Sequence, residues 1–319
     1  MLQFLVKRFI GLIFVLLCVT FITFILGYFA PGNPIQAMLG NHFDPVLYQQ
    51  LRHEYGLDLP WYQQYYRFLT DLIHFNFGYS YAYQGVPVWN LISSGLQSSS
   101  ELATWGLILT YLIGIPLGVF SAIKANTWFD ASAMTFSLIL YALPTFILAV
   151  IFQVFIVWLD STTHIQWPVA NWGTPWQYTW TDIQFKIGPV LVFAALSFAS
   201  VARITRTSML EVLRQDFIRT ARAKGLRERV VINRHTLRNA LMPLITVFGI
   251  SLGTLVTGVF FIEQIFNIPG LGTTTINAIS SRDYPVIQAA TILGAIAVVI
   301  GNLIADLLYT FVDPRIKAE

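Results

Sequence analysis

The sequence predicts an all-α membrane protein with six transmembrane helices and both termini in the cytoplasm. Three observations carry this reading. Charged residues make up only 11% of the 319, too few to dress the surface of a soluble globule. Mean hydropathy is +0.63. Six apolar windows, at about 9–29, 102–123, 131–159, 187–205, 240–263 and 286–311, each approach the roughly 20 residues that cross about 30 Å of hydrocarbon.

The first window follows Lys7 and Arg8 and ends at "APGNP" without a small-x-small cleavage site, which predicts a retained anchor. The third carries Pro144 near its middle, so a tilt or kink is expected there. Charge placement orients the six. One side holds Lys7, Arg8, Lys124, the ten cations from Arg203 to Arg238, Arg315 and Lys317; the other holds Arg52, Arg67, Lys186 and Arg282. By the positive-inside rule the richer side is cytoplasmic. Trp158, Trp167, Trp172, Trp176 and Trp180 gather around one outer loop, as an interfacial aromatic belt would. The chain reads as one membrane domain over 1–319, with a long outer loop at about 30–101 and a cytoplasmic loop at about 206–239. In the outer loop, "DPVLYQQLRHEYGLDLPWYQQYYRFLTDL" has apolar residues at helical spacing, which predicts short helices along the interface.

Several chemistries are excluded or weakened. No Gly-Lys pair occurs, so a phosphate-cradling G-x-x-x-x-G-K-[ST] loop is missing and the chain should not hydrolyse ATP by itself. The single cysteine, Cys18, has no partner for an internal disulfide, and no ligand cluster suggests a metal. "GISLG", Gly249–Gly253, matches a serine nucleophile elbow but sits in an apolar helix with all five histidines outside the spans. It reads instead as a G-x-x-x-G packing face, as does Gly114–Gly118. Intramembrane polar residues are costly and therefore candidates for a pathway or gate: Gln153, Glu263, Gln264, Asn302 and Asp306. Asn302 and Asp306 are four apart and share a helix face.

The cytoplasmic loop is the most informative segment. Leu210, Leu213, Phe217 and Ala221 recur at helical spacing, Gly225 permits a break, and "LRERVVINRHTLRNALMP" resumes a helix. "FIRTARAKGLRERV" is rich in cations, which fix topology and attract anionic lipid headgroups. A segment this long, periodic and glycine-tipped also suits a protein partner; in this membrane setting a nucleic-acid partner is set aside.

The loop resembles the signature loop of the inner-membrane subunits of binding-protein-dependent ABC importers, and "FIRTARAKGL" is similar in particular to the oligopeptide/dipeptide permease subfamily. "FNFGYSY", "IEQIFNIPGLG", "RDYPVIQ" and "NLIADLLYTFVDPRIK" extend the resemblance in one order along most of the chain. The broader family pattern is Glu-Ala-Ala with glycine after three more residues; here Arg219, Thr220 and Ala221 precede Gly225, so only Ala221 and the glycine match. The resemblance implies a type I ABC importer permease-like fold in a bacterial inner membrane. It implies pairing with a second, homologous permease subunit, two ATPase subunits or domains that carry ATP and Mg²⁺, and an extracytoplasmic peptide-binding protein. It also implies a short coupling helix seated in the ATPase, which places docking in Thr220, Ala221, Arg222, Ala223, Lys224, Gly225, Leu226 and Arg227. No cofactor is expected on this chain itself. The alternatives are an ion-coupled secondary carrier acting without an ATPase and an intramembrane protease using Ser251.

Overall fold

The computed structural model describes residues 2–30, 34–39, 44–163, 166–253 and 259–312. Among them are helices and turns with no strand, only an isolated bridge between Tyr79 and Pro87. Among the described residues, five helices are long and apolar enough to cross a membrane: Ile10–Phe29 within α1 (Leu2–Phe29), α5 (Val88–Ile123), α7 (Thr145–Thr163), α8 (Trp180–Leu213) and Tyr284–Leu308 within α15 (Tyr284–Val312). The expected window at 240–263 is covered in part by α12 (Met242–Leu252) and α13 (Phe260–Ile265), and residues 254–258 lie outside the described residues. Arg315 and Lys317 also lie outside them, as do His42 and His164.

The window expected to kink at Pro144 is divided outright. α6 (Trp128–Ala142) ends with Leu143 in an extended conformation, φ −76° and ψ 130°, and α7 starts at Thr145. Proline disfavours the helical conformation of the residue before it and offers no N–H to continue the ladder. The two halves pack on different neighbours, α6 on α5 and α8, α7 on α8 and α13.

α5 and α8 form the centre of the fold and run parallel. Small residues on α5 set their approach. A Cβ added at Gly106 would overlap the Phe193 ring, one at Gly114 would sit 2.8 Å from Val201 Cγ1, and one at Gly118 would strike the Ala202 carbonyl and Thr205. Such close backbone approach is what small residues permit where lipid offers no hydrophobic force between helices. α12 and α15 meet in the same way but antiparallel: Gly249 lies against Gly301 and Ala305, and Gly253 against Val298. Gly27 near the end of α1 faces Tyr284 and Gln288 at the start of α15. These contacts place the start of α1, the ends of α5, α8 and α15, and the basic loop at one end of the molecule.

The segment expected to be a long outer loop holds the short helices α2 (Pro34–Leu39), α3 (Pro45–Glu54) and α4 (Trp61–Ile73), the last two falling on the stretch expected to be helical. Asp44 caps α3 by accepting from the Val46 and Leu47 amides at 2.8 and 3.4 Å. α4 lies on α1 through Tyr65 and Phe68 against Phe24. At that same end, Leu102, Trp172, Phe193, Ile262, Phe266 and Ile268 form the largest buried cluster.

Candidate functional site: the basic turn and the buried polar clasps

α8 does not run smoothly into the basic loop. It stops at Leu213, and α9 (Asp216–Ala223) begins after Arg214 and Gln215. The residues expected to form one amphipathic stripe therefore divide: Leu210 and Leu213 belong to α8, and Phe217 on α9 is exposed. α9 roots itself by Ile218 and Ala221, packed with Val212 and Val231. Beyond it come α10 (Glu228–Val230), a π-helical segment (Val231–Thr236) and α11 (Leu237–Ala240). Ala240 is buried with Met209 of α8 and Ala122 of α5. The loop is thus seated on the ends of the two central helices.

Thr220 to Arg227 come together as one exposed turn on that root. Thr220 Oγ1 donates to the Asp216 carbonyl at 3.0 Å, and Ala221 is the buried member. The Lys224 amide donates to Thr220 O at 3.0 Å, the Gly225 amide to Arg222 O at 2.9 Å, and the Leu226 amide to Ala221 O at 3.4 Å. Gly225 has φ +74°, the left-handed conformation that ends helices and suits glycine. A Cβ there would meet nothing within 4 Å. Ala223, Lys224, Leu226 and Arg227 are exposed. Arg222 bends back and grips Glu228 with two hydrogen bonds of 3.2 and 2.6 Å. That donation holds the Glu228 carboxyl below its ordinary value and raises the Arg222 guanidinium.

Beneath the turn, Asp130 at the start of α6 accepts two 2.6 Å hydrogen bonds from Arg206 of α8, and a third of 3.0 Å from the Asn126 amide. This clasp ties α6 to the helix that carries the loop.

Two polar candidates at the other end, Glu263 and Gln153, are built into the frame. Glu263 is fully buried. Its Oε1 accepts from Ser99 Oγ at 2.7 Å and the Val259 amide at 3.1 Å, and its Oε2 from the Thr273 amide at 3.1 Å. A carboxylate facing the first turn of α14 (Leu271–Ser281) is favourably placed against that helix's N-terminal dipole. Ser99 also accepts from the Leu271 amide at 2.7 Å, so "NIPGLG" is held to α5. Gln153 Nε2 donates to Val169 O at 3.1 Å and Ile265 O at 2.9 Å. Gln264 is exposed. Asn302, exposed, and Asp306, half-buried, lie toward the far end of α15 beside Gly301 and Ala305, so the five candidates do not converge on one site.

One feature at the end opposite the basic turn escaped sequence reasoning. Lys186 Nζ donates to Glu101 Oε1 at 2.8 Å, Thr174 O at 2.9 Å and Gln177 O at 2.6 Å. Glu101 Oε2 accepts from Trp172 Nε1 at 2.9 Å and the Trp176 amide at 2.8 Å. Both ions are buried and every partner is a hydrogen-bonding group. The tryptophan-rich segment expected to form an interfacial belt is thereby closed over the tops of α5 and α8, with Trp172 inside and Trp176 and Trp180 exposed. A second clasp joins Asp283 to the Ser80 hydroxyl and to the Tyr81 and Ala82 amides, the latter two at 3.0 and 3.3 Å. Ser251, the nucleophile of the elbow reading, donates to Val247 O at 2.7 Å inside α12. That is helical packing, with no strand-to-helix turn.

Residues 114–318 match the family described as binding-protein-dependent transport system inner membrane component, and residues 1–98 match the N-terminal part of such components. The chain belongs to this family. Among curated relatives, the permease is 38% identical over 325 residues to the oligopeptide transport system permease protein AppB of Bacillus subtilis strain 168, covering 99% of this chain and 100% of that protein. It is 36% identical over 339 residues to the dipeptide transport system permease protein DppB of Escherichia coli K12, covering 99% of each chain. It is 37% identical over 337 residues to the di/tripeptide transport system permease protein DppB of Pseudomonas aeruginosa UCBPP-PA14, covering 100% of each. The family is an inner-membrane component of importers rather than their ATPase.

Proposed function

We propose that this permease forms one half of the pathway of an ATP-driven peptide importer and takes up ATPase movement through Thr220 to Arg227. The observation that carries this is an exposed, glycine-tipped turn whose buried root, Ile218, Ala221 and Val231, stands on the ends of the central helices. A partner that displaces the turn moves α8, and through it α5, as bodies. Packed interfaces of this kind switch between arrangements rather than deform continuously. ATP and Mg²⁺ belong to the partner ATPases.

In this reading one domain over 1–319 crosses the bacterial inner membrane six times, with both termini and the basic turn in the cytoplasm. A homologous permease supplies the other half of the pathway, and a peptide-binding protein delivers cargo at the opposite face. Peptides are the proposed cargo, and among them oligopeptides, the cargo in the name of the Bacillus subtilis relative; the Escherichia coli relative is named for dipeptides. Gln153, Glu263 and Gln264 lie at or beside the outer gate, and Asn302 and Asp306 face the inner part of the route.

Reconstitution tests the assignment against an ion-coupled carrier. Vesicles holding the complete assembly with binding protein and ATP are expected to accumulate labelled peptide, while vesicles holding this chain alone stay at background with or without an ion gradient. Gradient-driven uptake by the chain alone would replace the importer reading with the carrier.

A further inference from the structure

Between the end of α1, the helices α3 and α4, and the first turn of α15 lies a cavity of about 610 Å³, at the end of the molecule away from the basic turn. Its size is that of pockets that hold small organic ligands. Arg52, Arg67, Glu54 and Asp71 all line it. Among the described residues none of these four side chains makes an ion pair or a hydrogen bond with another protein group. Two cations and two anions that share one cavity and leave each other unpaired suit a ligand that carries both charges.

The aromatic wall is fixed from behind. Tyr55 and Tyr81 stand edge to face with centroids 5.4 Å apart, and the Tyr81 amide is held by Asp283 at 3.0 Å. Burial pushes both phenols up, Tyr81 the further, so both stay neutral donors. Gly56, at φ +64°, brings the backbone against Arg67, whose Nη1 lies 2.9 Å from where a Cβ would stand. A side chain at that position would displace the guanidinium.

We infer that this cavity is a binding site for the free termini of short peptides: the guanidinium groups of Arg52 and Arg67 take the α-carboxylate, Glu54 and Asp71 take the α-ammonium, and the tyrosines accept the side chains. The inference rests on the peptide-import reading above. It adds a resting place on the permease itself, outside the membrane core, that selects for zwitterionic ends. Charge-assisted hydrogen bonds to carboxylate and ammonium are the strong kind, and bidentate arginine suits the carboxylate.

The test uses the reconstituted assembly and three probes: tri-alanine, its N-acetyl form and its C-terminal amide. In the parent, tri-alanine is expected to be taken up with a KM at least about tenfold below that of either blocked form, the loss of one charged contact. R52Q/R67Q should raise the tri-alanine KM to that of the amide and abolish discrimination between those two, while discrimination against the acetyl form persists. E54Q/D71N should do the reverse, and R52K/R67K should recover part of the carboxylate preference. Unchanged discrimination in both double variants, with peptide uptake intact, overturns the cavity assignment and leaves the importer reading standing. Absence of ATP-dependent tri-alanine uptake by the parent assembly, with longer peptides also refused, overturns both.

Discussion

Replacing Lys186 with methionine is expected to destabilise the permease by about 3–5 kcal/mol, because it strands Glu101 as an uncompensated buried carboxylate. The loss is large beside the 5–15 kcal/mol of an ordinary domain. It also removes the only described side-chain donor to the Thr174 and Gln177 carbonyls, so the segment carrying Trp172 and Trp176 should lift from α5 and α8. Thermal unfolding in detergent micelles reads the effect. The double variant Lys186→Met with Glu101→Leu should recover a good part of the loss, since no buried charge remains, and the remainder reports Trp172 Nε1 left without its acceptor. Strictly additive single and double variants would show that the two ions are not coupled, contrary to the 2.8 Å contact.

The second large effect is on transport with the fold preserved. Gly225 has φ +74° and open space where a side chain would begin. Asparagine tolerates the left-handed region better than other non-glycine residues, so Gly225→Asn should keep the turn and the midpoint of thermal unfolding. Any loss then comes from a partner that needs the room. ATP-driven uptake is expected to fall at least about tenfold, the equivalent of roughly 1.4 kcal/mol of poorer seating. Gly225→Glu should be worse, adding a charge and greater strain at positive φ. Normal uptake by both would mean that no partner approaches the glycine.

Much of this was legible in the sequence. Four of the five long apolar helices follow from single apolar runs and α7 is the second half of a run divided at Pro144; the short helices α3 and α4 follow from residue spacing, and the tight α5–α8 and α12–α15 contacts from glycines at Gly114, Gly118 and Gly249. The basic turn was legible because Gly225 marks the change of direction and the cations cluster around it. What was not legible has a common cause. Glu101, Asp130 and Lys186 each stand one residue outside an apolar window, where a charge reads as the border of a span facing water. In the folded chain each is buried and paired across 76 or 85 positions of sequence, a relation that no local pattern encodes. A glutamate and a lysine at the same border of two helices, with a tryptophan-rich connection between them, was the available signal. Phe217 misled for a related reason: the stripe through Leu213 has the right spacing only if the helix is continuous, and it breaks at Arg214 and Gln215.

The fold also separates rigid frame from contact surface. Glu263, a candidate for the pathway by its cost in lipid, has its oxygens occupied by Ser99 and by the Val259 and Thr273 amides. Such a satisfied buried acid holds the "NIPGLG" segment in place. In the basic turn, Ala223 to Arg227 are exposed, as is Phe217 before them.

The central claim, that ATPase movement enters through this turn, is tested most directly by cross-linking at Ala223. With Cys18 replaced by serine and a single cysteine placed at Ala223, a short bifunctional reagent applied to the complete assembly should join the permease to its ATPase subunit, with a yield that changes when ATP is bound. A cysteine at buried Ile218 should give none. No ATPase adduct from any position between Thr220 and Arg227, in an assembly that still transports peptide, would contradict the account.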